Sequence, residues 1–354
     1  MVSGMMQKVI YEDLERAFSS NVPWECLKGK SIMVTGAYGM IASYVVYMLI
    51  WLNEKKNYGI NIIPVVRSKE KFINRFGEFA NKDYMSICIS SLTDKNIYTG
   101  HMDYIIHAAS LASPQHYSVR PVDVLAPNVI GTYQLLELAK EKQIKGFLFF
   151  SSGAIYGTVK KAHDIEESDL GEMDPLNIQS CYGESKRMGE TMCKAYKVQY
   201  GVPTKIARIC HTYGPTMDFE NDPRVFAAFV KNIIHGEDII MKSDGSSKRA
   251  FCYIVDALTA IFTILLKGID GEAYNVCNTS QFYSIKEFAQ ILVPLRTDKQ
   301  INVIVHKREA TENYTESPVQ NEFPSSDCKL RELGWNPSCS VEEGFRRVIR
   351  AFGL

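Results

Sequence analysis

The 354-residue chain carries no net charge, with 40 Lys and Arg set against 40 Asp and Glu. General nucleic-acid binders use a basic excess to neutralise phosphates, so that role is excluded, while a local basic pocket for one phosphorylated ligand is not. Long apolar runs are missing as well. The longest, Met40 to Leu52, falls short of the roughly 20 residues that a membrane-spanning helix needs, and reads as a buried helix. Met1 to Ile10 is too short and too polar for a secretory signal, so a cytoplasmic protein without a membrane partner is expected. The nine cysteines, at 26, 88, 181, 193, 210, 252, 277, 328 and 339, are odd in number and lack both CxxC spacing and histidine neighbours. Reduced core thiols are expected, and no metal site. Internal repeats and low-complexity tracts are lacking too.

At 46% hydrophobic and 23% charged, the composition is that of an ordinary globular protein. At about 150 residues per domain, the length suggests two domains or one large core with a lobe. Residues 1–29 read as a helical extension, with Tyr11, Leu14 and Phe18 on one face. Ser31 to Thr35 is a short apolar strand ending at a glycine, followed by the Met40 helix and a second strand over 60–66. Pro64 is awkward there for a central strand. Strand-like runs recur over 86–89, 104–108, 146–151 and 204–209, with helical stretches over 121–142 and 180–200. Such alternation predicts a doubly wound, parallel α/β (Rossmann) sheet over residues 30–214. After Tyr213-Gly214-Pro215 the alternation fades. Helical runs over 224–235, 255–267, 284–292 and 341–352 predict a smaller C-terminal α/β substrate lobe over 215–354, with some segments returning to the first domain.

Gly36-Ala37-Tyr38-Gly39-Met40-Ile41-Ala42 lies between the first strand and the first helix. Small residues there let the backbone approach a pyrophosphate, which the free N–H groups of a helix N-terminus stabilise. A dinucleotide, NAD or NADP, is therefore expected. The second strand ends in Val66-Arg67, where an acidic residue would favour NAD. Arg67 accepts no hydrogen bond but pairs with a 2′-phosphate, which leans toward NADP; a solvated basic turn is the alternative.

Tyr182 and Lys186 stand four apart on a predicted helix and share one face. A phenol of pKa about 10 is a poor base at neutral pH, and a nearby ammonium favours its phenolate. Such a pair takes a proton from a sugar hydroxyl while its carbon gives up hydride. Ser152, at the end of the fifth strand, supplies a hydroxyl for the reacting oxygen, completing a Ser/Tyr/Lys set. Other motifs read as structural: His107 at a strand end, the Tyr44, Tyr47, Met48 and Trp51 stripe as core, and Asp164 to Asp169 as a solvated loop rather than a metal site.

With these motifs the chain resembles the extended short-chain dehydrogenase/reductases that act on nucleotide sugars, from Lys30 to Phe352. The markers are Gly36/Gly39/Ala42, Asp103 to Ala109, Asn128-Val-Ile-Gly131-Thr132, Ser151-Ser152, Tyr182/Lys186, His211 to Pro215 and Lys248 to Phe251. Ser180 to Arg187 is most similar to UDP-glucuronate decarboxylases and their neighbours. The resemblance implies Ser152 as hydroxyl donor, Tyr182 as base, and Lys186 as its partner and ribose contact. It implies a dinucleotide held by Gly36, Tyr38, Gly39, Met40 and Ile41, by Ala108, Ala109 and Ser110, and by Asn128, Ser151 and His211. A nucleotide-diphosphate sugar would meet Ser152, Gly153 and Ala154, with Arg249 and Arg224 on the diphosphate. It also implies a homodimer through the helices over 121–142 and 180–200.

The departures from the family pattern narrow the chemistry. Where 4,6-dehydratases carry an Asp-Glu pair and sugar-acid decarboxylases a glutamate, this chain has Gly153-Ala154, which do no acid–base work. His211 replaces the usual asparagine, and Ser91 stands near the position of an adenine-contacting aspartate. A C4 epimerase of nucleotide sugars is the leading expectation. The alternatives are a 4-dehydrogenase or 4-keto reductase, a decarboxylase or dehydratase drawing a carboxylate such as Glu184 from elsewhere, and a non-catalytic dinucleotide sensor.

Overall fold

A computed structural model describes residues 4–94, 98–306 and 323–354. Its chain order begins with α1 (Gly4–Phe18), β1 (Ser31–Thr35), α2 (Met40–Lys56), β2 (Asn61–Val66), α3 (Lys69–Phe76), β3 (Cys88–Ile89) and β4 (Tyr104–His107). It continues through α4 (Gln115–Val119), α5 (Pro121–Lys142), β5 (Gly146–Ser152), α6 (Cys181–Tyr200), β6 (Thr204–Ile209) and β7 (His211–Tyr213). The last third holds α7 (Val225–His235), β8 (Ile239–Met241), β9 (Lys248–Tyr253), α8 (Ile254–Lys267), β10 (Ala273–Val276) and β11 (Phe282–Ser284). It closes with α9 (Ile285–Leu292), β12 (Val303–Val305), α10 (Cys328–Glu332) and α11 (Val341–Ala351).

Seven parallel strands form the main sheet in the order β10-β6-β5-β4-β1-β2-β3. Nearly continuous apolar strands such as Phe147 to Phe150 are buried on both faces, as a sheet covered by helices on each side requires. The order reverses beside β1, and that crevice at the strands' carboxyl ends is where doubly wound folds bind ligands. Two smaller sheets, β11-β9-β7 and β12-β8, belong to the C-terminal half. That half also contributes β10 to the main sheet, while Thr216 Oγ1 bonds the Met40 carbonyl across the seam (3.1 Å).

Local chemistry explains where the sequence reading shifts. Pro64 does sit inside β2, paired with Val34 of β1. On the other edge, pairing lapses between the Ile62–Met85 bridge and Val65–Cys88, so the missing N–H is not needed. For the same reason the third strand shrinks to Cys88–Ile89. Helix α2 runs to Lys56, ending where Asn57 takes a left-handed cap. Tyr44, Tyr47, Met48 and Trp51 are core, as their spacing predicts. Within the segment 164–169, Asp164, Glu166 and Ser168 are exposed as a solvated loop requires, while Asp169 is buried, accepts from the Glu166 N–H (3.0 Å) and pairs with Lys161. All nine cysteines are free thiols, and no helix among the described residues is long and apolar enough to cross a membrane.

Candidate active site

A cleft of about 930 Å³ opens at the carboxyl ends of the main-sheet strands and reaches the C-terminal lobe. The turn from β1 into α2 forms one wall. Gly36 has φ +65°, and a Cβ there would lie 2.8 Å from the Ala109 Cα, so only glycine lets the turn pack against the end of β4. Gly39 caps α2 without any side-chain hydrogen bond, which leaves first-turn N–H groups for an anion. Tyr38, Met40, Ile41 and Ala42 line this wall, with Ala108, Ala109 and Ser110 opposite. The Ser110 hydroxyl is buried with no partner. A positive-φ glycine, an uncapped helix N-terminus and an orphaned hydroxyl fit a dinucleotide diphosphate. Arg67 lies exposed at the lip beyond β2, and Arg75, which the sequence did not single out, joins it. Ser91 also lines the cleft, its N–H capped by Asp94 (2.9 Å).

β5 and α6 bring the reacting side chains together. Ser152 ends β5 and accepts from the Ala154 N–H (3.2 Å), which fixes its hydroxyl at the cleft floor. It stands beside the Tyr182 phenol, where it favours the phenolate. Tyr182 stands in the first turn of α6, stacked on Tyr117 at 5.2 Å between ring centroids. Tyr117 comes from the short helix α4, and no spacing in the sequence pointed to it. Lys186, one turn along, is buried and donates to the Phe150 carbonyl at 2.7 Å, with Nζ 5.7 Å from the centre of the Tyr182 ring.

Burial dominates the electrostatics. It pushes the Tyr182 phenol up, opposed by the neighbouring Ser152 hydroxyl and the positive Arg224. It pushes the Lys186 ammonium down to about 7, with Glu190 pulling the other way. The expectation of a phenol lowered by its lysine is therefore not met in the protein alone, because desolvation outweighs a cation held against a carbonyl.

The lobe supplies a cationic rim. Arg249 on β9, Arg224 at the start of α7 and Lys248 line the cleft together with His211 on β7. Arg224 is held by Asp222 at 2.6 Å. Burial, with the charges of Arg249 and Arg224, pushes His211 down to about 3, so it faces the cleft as a neutral imidazole. His211 thus stands beside the lobe cations, in the same cleft as the dinucleotide turn. Gly153 and Ala154 line the floor between the two walls, beside Cys210 and Cys277.

Two residues assigned to the dinucleotide behave differently. Asn128 is buried inside α5, bonded to Ser185 (3.0 Å), and is not part of the cleft lining; its Oδ1 is unpartnered. Ser151 borders the cleft, but its hydroxyl is turned to Glu190 (2.5 Å). Glu184, offered as a substitute carboxylate, is bound to Arg187 at 3.2 Å and does not line the cleft. His107 is structural. Its Nδ1 accepts from Thr35, and Nε2 faces the Pro127 carbonyl and Thr132.

A model of the NAD dependent epimerase/dehydratase family matches residues 32–277. The chain belongs to this family. As a family member it is an enzyme built on the extended short-chain dehydrogenase/reductase plan. UDP-glucuronic acid decarboxylase 6 of Arabidopsis thaliana is 30% identical over 323 residues, 91% of this chain and 89% of that protein. The structure of a UDP-glucose 4-epimerase from Thermotoga maritima, solved with UDP-glucose, superposes with a TM-score of 0.76 at 25% identity, covering 91% of this chain and 98% of that one. A UDP-glucuronic acid 4-epimerase from Bacillus cereus in complex with NAD shares the fold at 21% identity, with a TM-score of 0.71 over 91% and 98% of the two chains.

Proposed function

We propose that this enzyme epimerises the sugar of a UDP-linked sugar at C4. The observation that carries the reading is the Ser152–Tyr182–Lys186 set flanked by Gly153 and Ala154, which offer no acid or base. Among the described residues, the carboxylates lining the cleft are Asp123, Asp218 and Asp222. They are already bonded to Arg120, Asn221 and Arg224 respectively. Dehydration needs an acid and a base at neighbouring carbons, and this arrangement supplies neither.

Tyr182 takes the proton of the C4 hydroxyl while Ser152 donates to the same oxygen. The charge on Lys186 favours the phenolate. Bound NAD, held by Gly36, Gly39 and the first turn of α2, supplies the hydride acceptor and donor. The resulting 4-keto sugar turns over above Gly153 and Ala154, whose small side chains leave room, and Tyr182 returns the proton. Arg249 and Arg224 hold the diphosphate.

Similarity to a decarboxylase over 91% of this chain and 89% of that protein favours a second reading through the same site. A C5 carboxylate beside a C4 ketone is a β-keto acid, and it loses CO2 without a further base if Ser152 and Tyr182 stabilise the enolate oxygen. The substrate's carboxylate, rather than a residue, then decides the outcome.

The test is proton NMR and mass spectrometry of UDP-glucose, UDP-N-acetylglucosamine and UDP-glucuronic acid incubated with the protein. Equal-mass epimers support the proposal; loss of CO2 from UDP-glucuronic acid supports the second reading. Stoichiometric consumption of nicotinamide identifies a reductase, and no conversion despite bound dinucleotide identifies a sensor. Dinucleotide released on denaturation reports whether Arg67 selects NADP over the NAD assigned here. We also place a second copy of the chain against α5 and α6.

A further inference from the structure

Helix α6 carries a third residue in register with the reacting pair. Tyr182, Lys186 and Glu190 repeat every four positions, so all three face β5. Gly189 allows the close approach, since a Cβ there would stand 2.3 Å from the Phe149 Cζ. Consecutive residues of β5 then grip consecutive turns of the helix. The Phe150 carbonyl accepts from Lys186 at 2.7 Å, and the Ser151 hydroxyl donates to Glu190 at 2.5 Å. Behind them, Arg208 on β6 donates to both Glu190 oxygens, from Nε to Oε1 (3.0 Å) and from Nη2 to Oε2 (2.7 Å). The Glu190 side chain is only 13% exposed and that of Arg208 8%. Arg208 is fixed in turn by the Tyr156 hydroxyl (3.0 Å) and the Glu167 carbonyl (2.6 Å).

We propose that Glu190 is a positioning residue that, clamped by Ser151 and Arg208 one turn beyond Lys186, keeps an anion beside the lysine and acts through it without touching substrate. The proposal rests on the reading of Tyr182 and Lys186 as the base pair. The groups facing Lys186 are Tyr182, Glu190 and Cys193 on α6, the neutral His107 on β4, and the Phe149 ring and Phe150 carbonyl of β5. Arg208 lies beyond Glu190. Among these groups Glu190 is the anion, and it offsets part of the desolvation that strips the lysine of its proton. Ser151 and Arg208 pin the carboxylate so that this charge stays beside the helix rather than swinging to solvent.

The test pairs two readouts in the 354-residue chain. One is the pH profile of kcat and KM; the other is an NMR titration of the Lys186 13Cε signal, assigned with Lys186→Arg. In Glu190→Gln, which keeps shape and an acceptor for Ser151, Lys186 is expected to lose its proton about one pH unit lower. The alkaline limb of kcat moves down with it, and kcat at neutral pH falls about tenfold with KM nearly constant. Glu190→Asp restores most of both. Where the unpaired Arg208 of Glu190→Gln prevents folding, the double variant Glu190→Gln, Arg208→Gln removes both charges and is expected to show the same shift, smaller. An unchanged Lys186 titration in the folded single or double variant overturns the proposal. A shifted titration in a protein that converts no nucleotide sugar upholds it and sinks the functional reading instead.

Discussion

Burial moves the protons of Tyr182 and Lys186 in opposite senses, so the phenol and ammonium cannot be understood singly. Four-residue spacing on a helix made the pair legible in the sequence. Its desolvation was not legible, because it depends on Phe149, Phe150 and Tyr117, which come from other elements. Tyr182→Phe keeps the stacking on Tyr117 but removes the base. Turnover should drop at least about a hundredfold while dinucleotide content on denaturation is unchanged. A variant retaining most of its rate would remove Tyr182 from the mechanism. His107 is a residue whose structural reading held, and it carries a stability consequence. Burial pushes it down to about 3, whereas an unfolded histidine binds its proton near pH 6.5. Between those values the unfolded chain holds a proton that the folded chain refuses, so stability should fall as pH drops from about 6.5 toward 3, by on the order of 5 kcal/mol. Urea midpoints across that range should fall steeply for the parent and less steeply for His107→Gln; parallel slopes would show that His107 is not the source.

At the scale of elements, the strands and helices that alternate by period were readable, and those fixed by one contact were not. The β1–α2 turn declared itself through Gly36 and Gly39, while α1 showed only an apolar face. What α1 does depends on Asp13, a polar residue that periodicity discounts. Its buried carboxylate accepts from Tyr44 (2.9 Å) on α2, Tyr253 (2.8 Å) on β9 and Arg347 (2.7 Å) on α11. One side chain thus ties the extension to both halves of the molecule, outside the cleft lining. Burial pushes the Asp13 carboxyl up, against the pull of Arg347. Asp13→Ala leaves Arg347 and two phenols without their acceptor, a loss expected to cost about 3–5 kcal/mol. Thermal unfolding should come markedly earlier, with activity per folded molecule intact. A variant as stable as the parent would show that α1 is held by its apolar face alone. In the segment 164–169 the exposure of Asp164 and Glu166 was legible, whereas the enclosure of Asp169 by Lys161 and the Glu166 N–H was not.

Across the whole molecule, zero net charge hides a divided cleft, with a dinucleotide wall from the sheet and a cationic rim from the lobe. The outer surface is divided as well. α5 and α6 pack side by side, and their outward faces leave Val122 70%, Ile130 46%, Tyr133 47% and Met188 49% exposed. Val122, Ile130 and Tyr133 recur at helical spacing and form one stripe. Isolated exposed apolar residues need no explanation, but a stripe across two adjacent helices is a surface that water disfavours and a like surface covers. A two-fold axis through it would set α5 and α6 against the same helices of a second copy, closing the stripe without generating open chains. Light scattering should therefore report a dimer at micromolar concentration. Ile130→Glu with Tyr133→Lys puts charges into the centre of that contact and should weaken association at least about a hundredfold, giving a monomer. Because Tyr182 and Lys186 lie on the buried face of α6, the monomer should still bind dinucleotide. A parent protein that scatters as a monomer at tens of micromolar would mean that the stripe is covered by something other than its own copy.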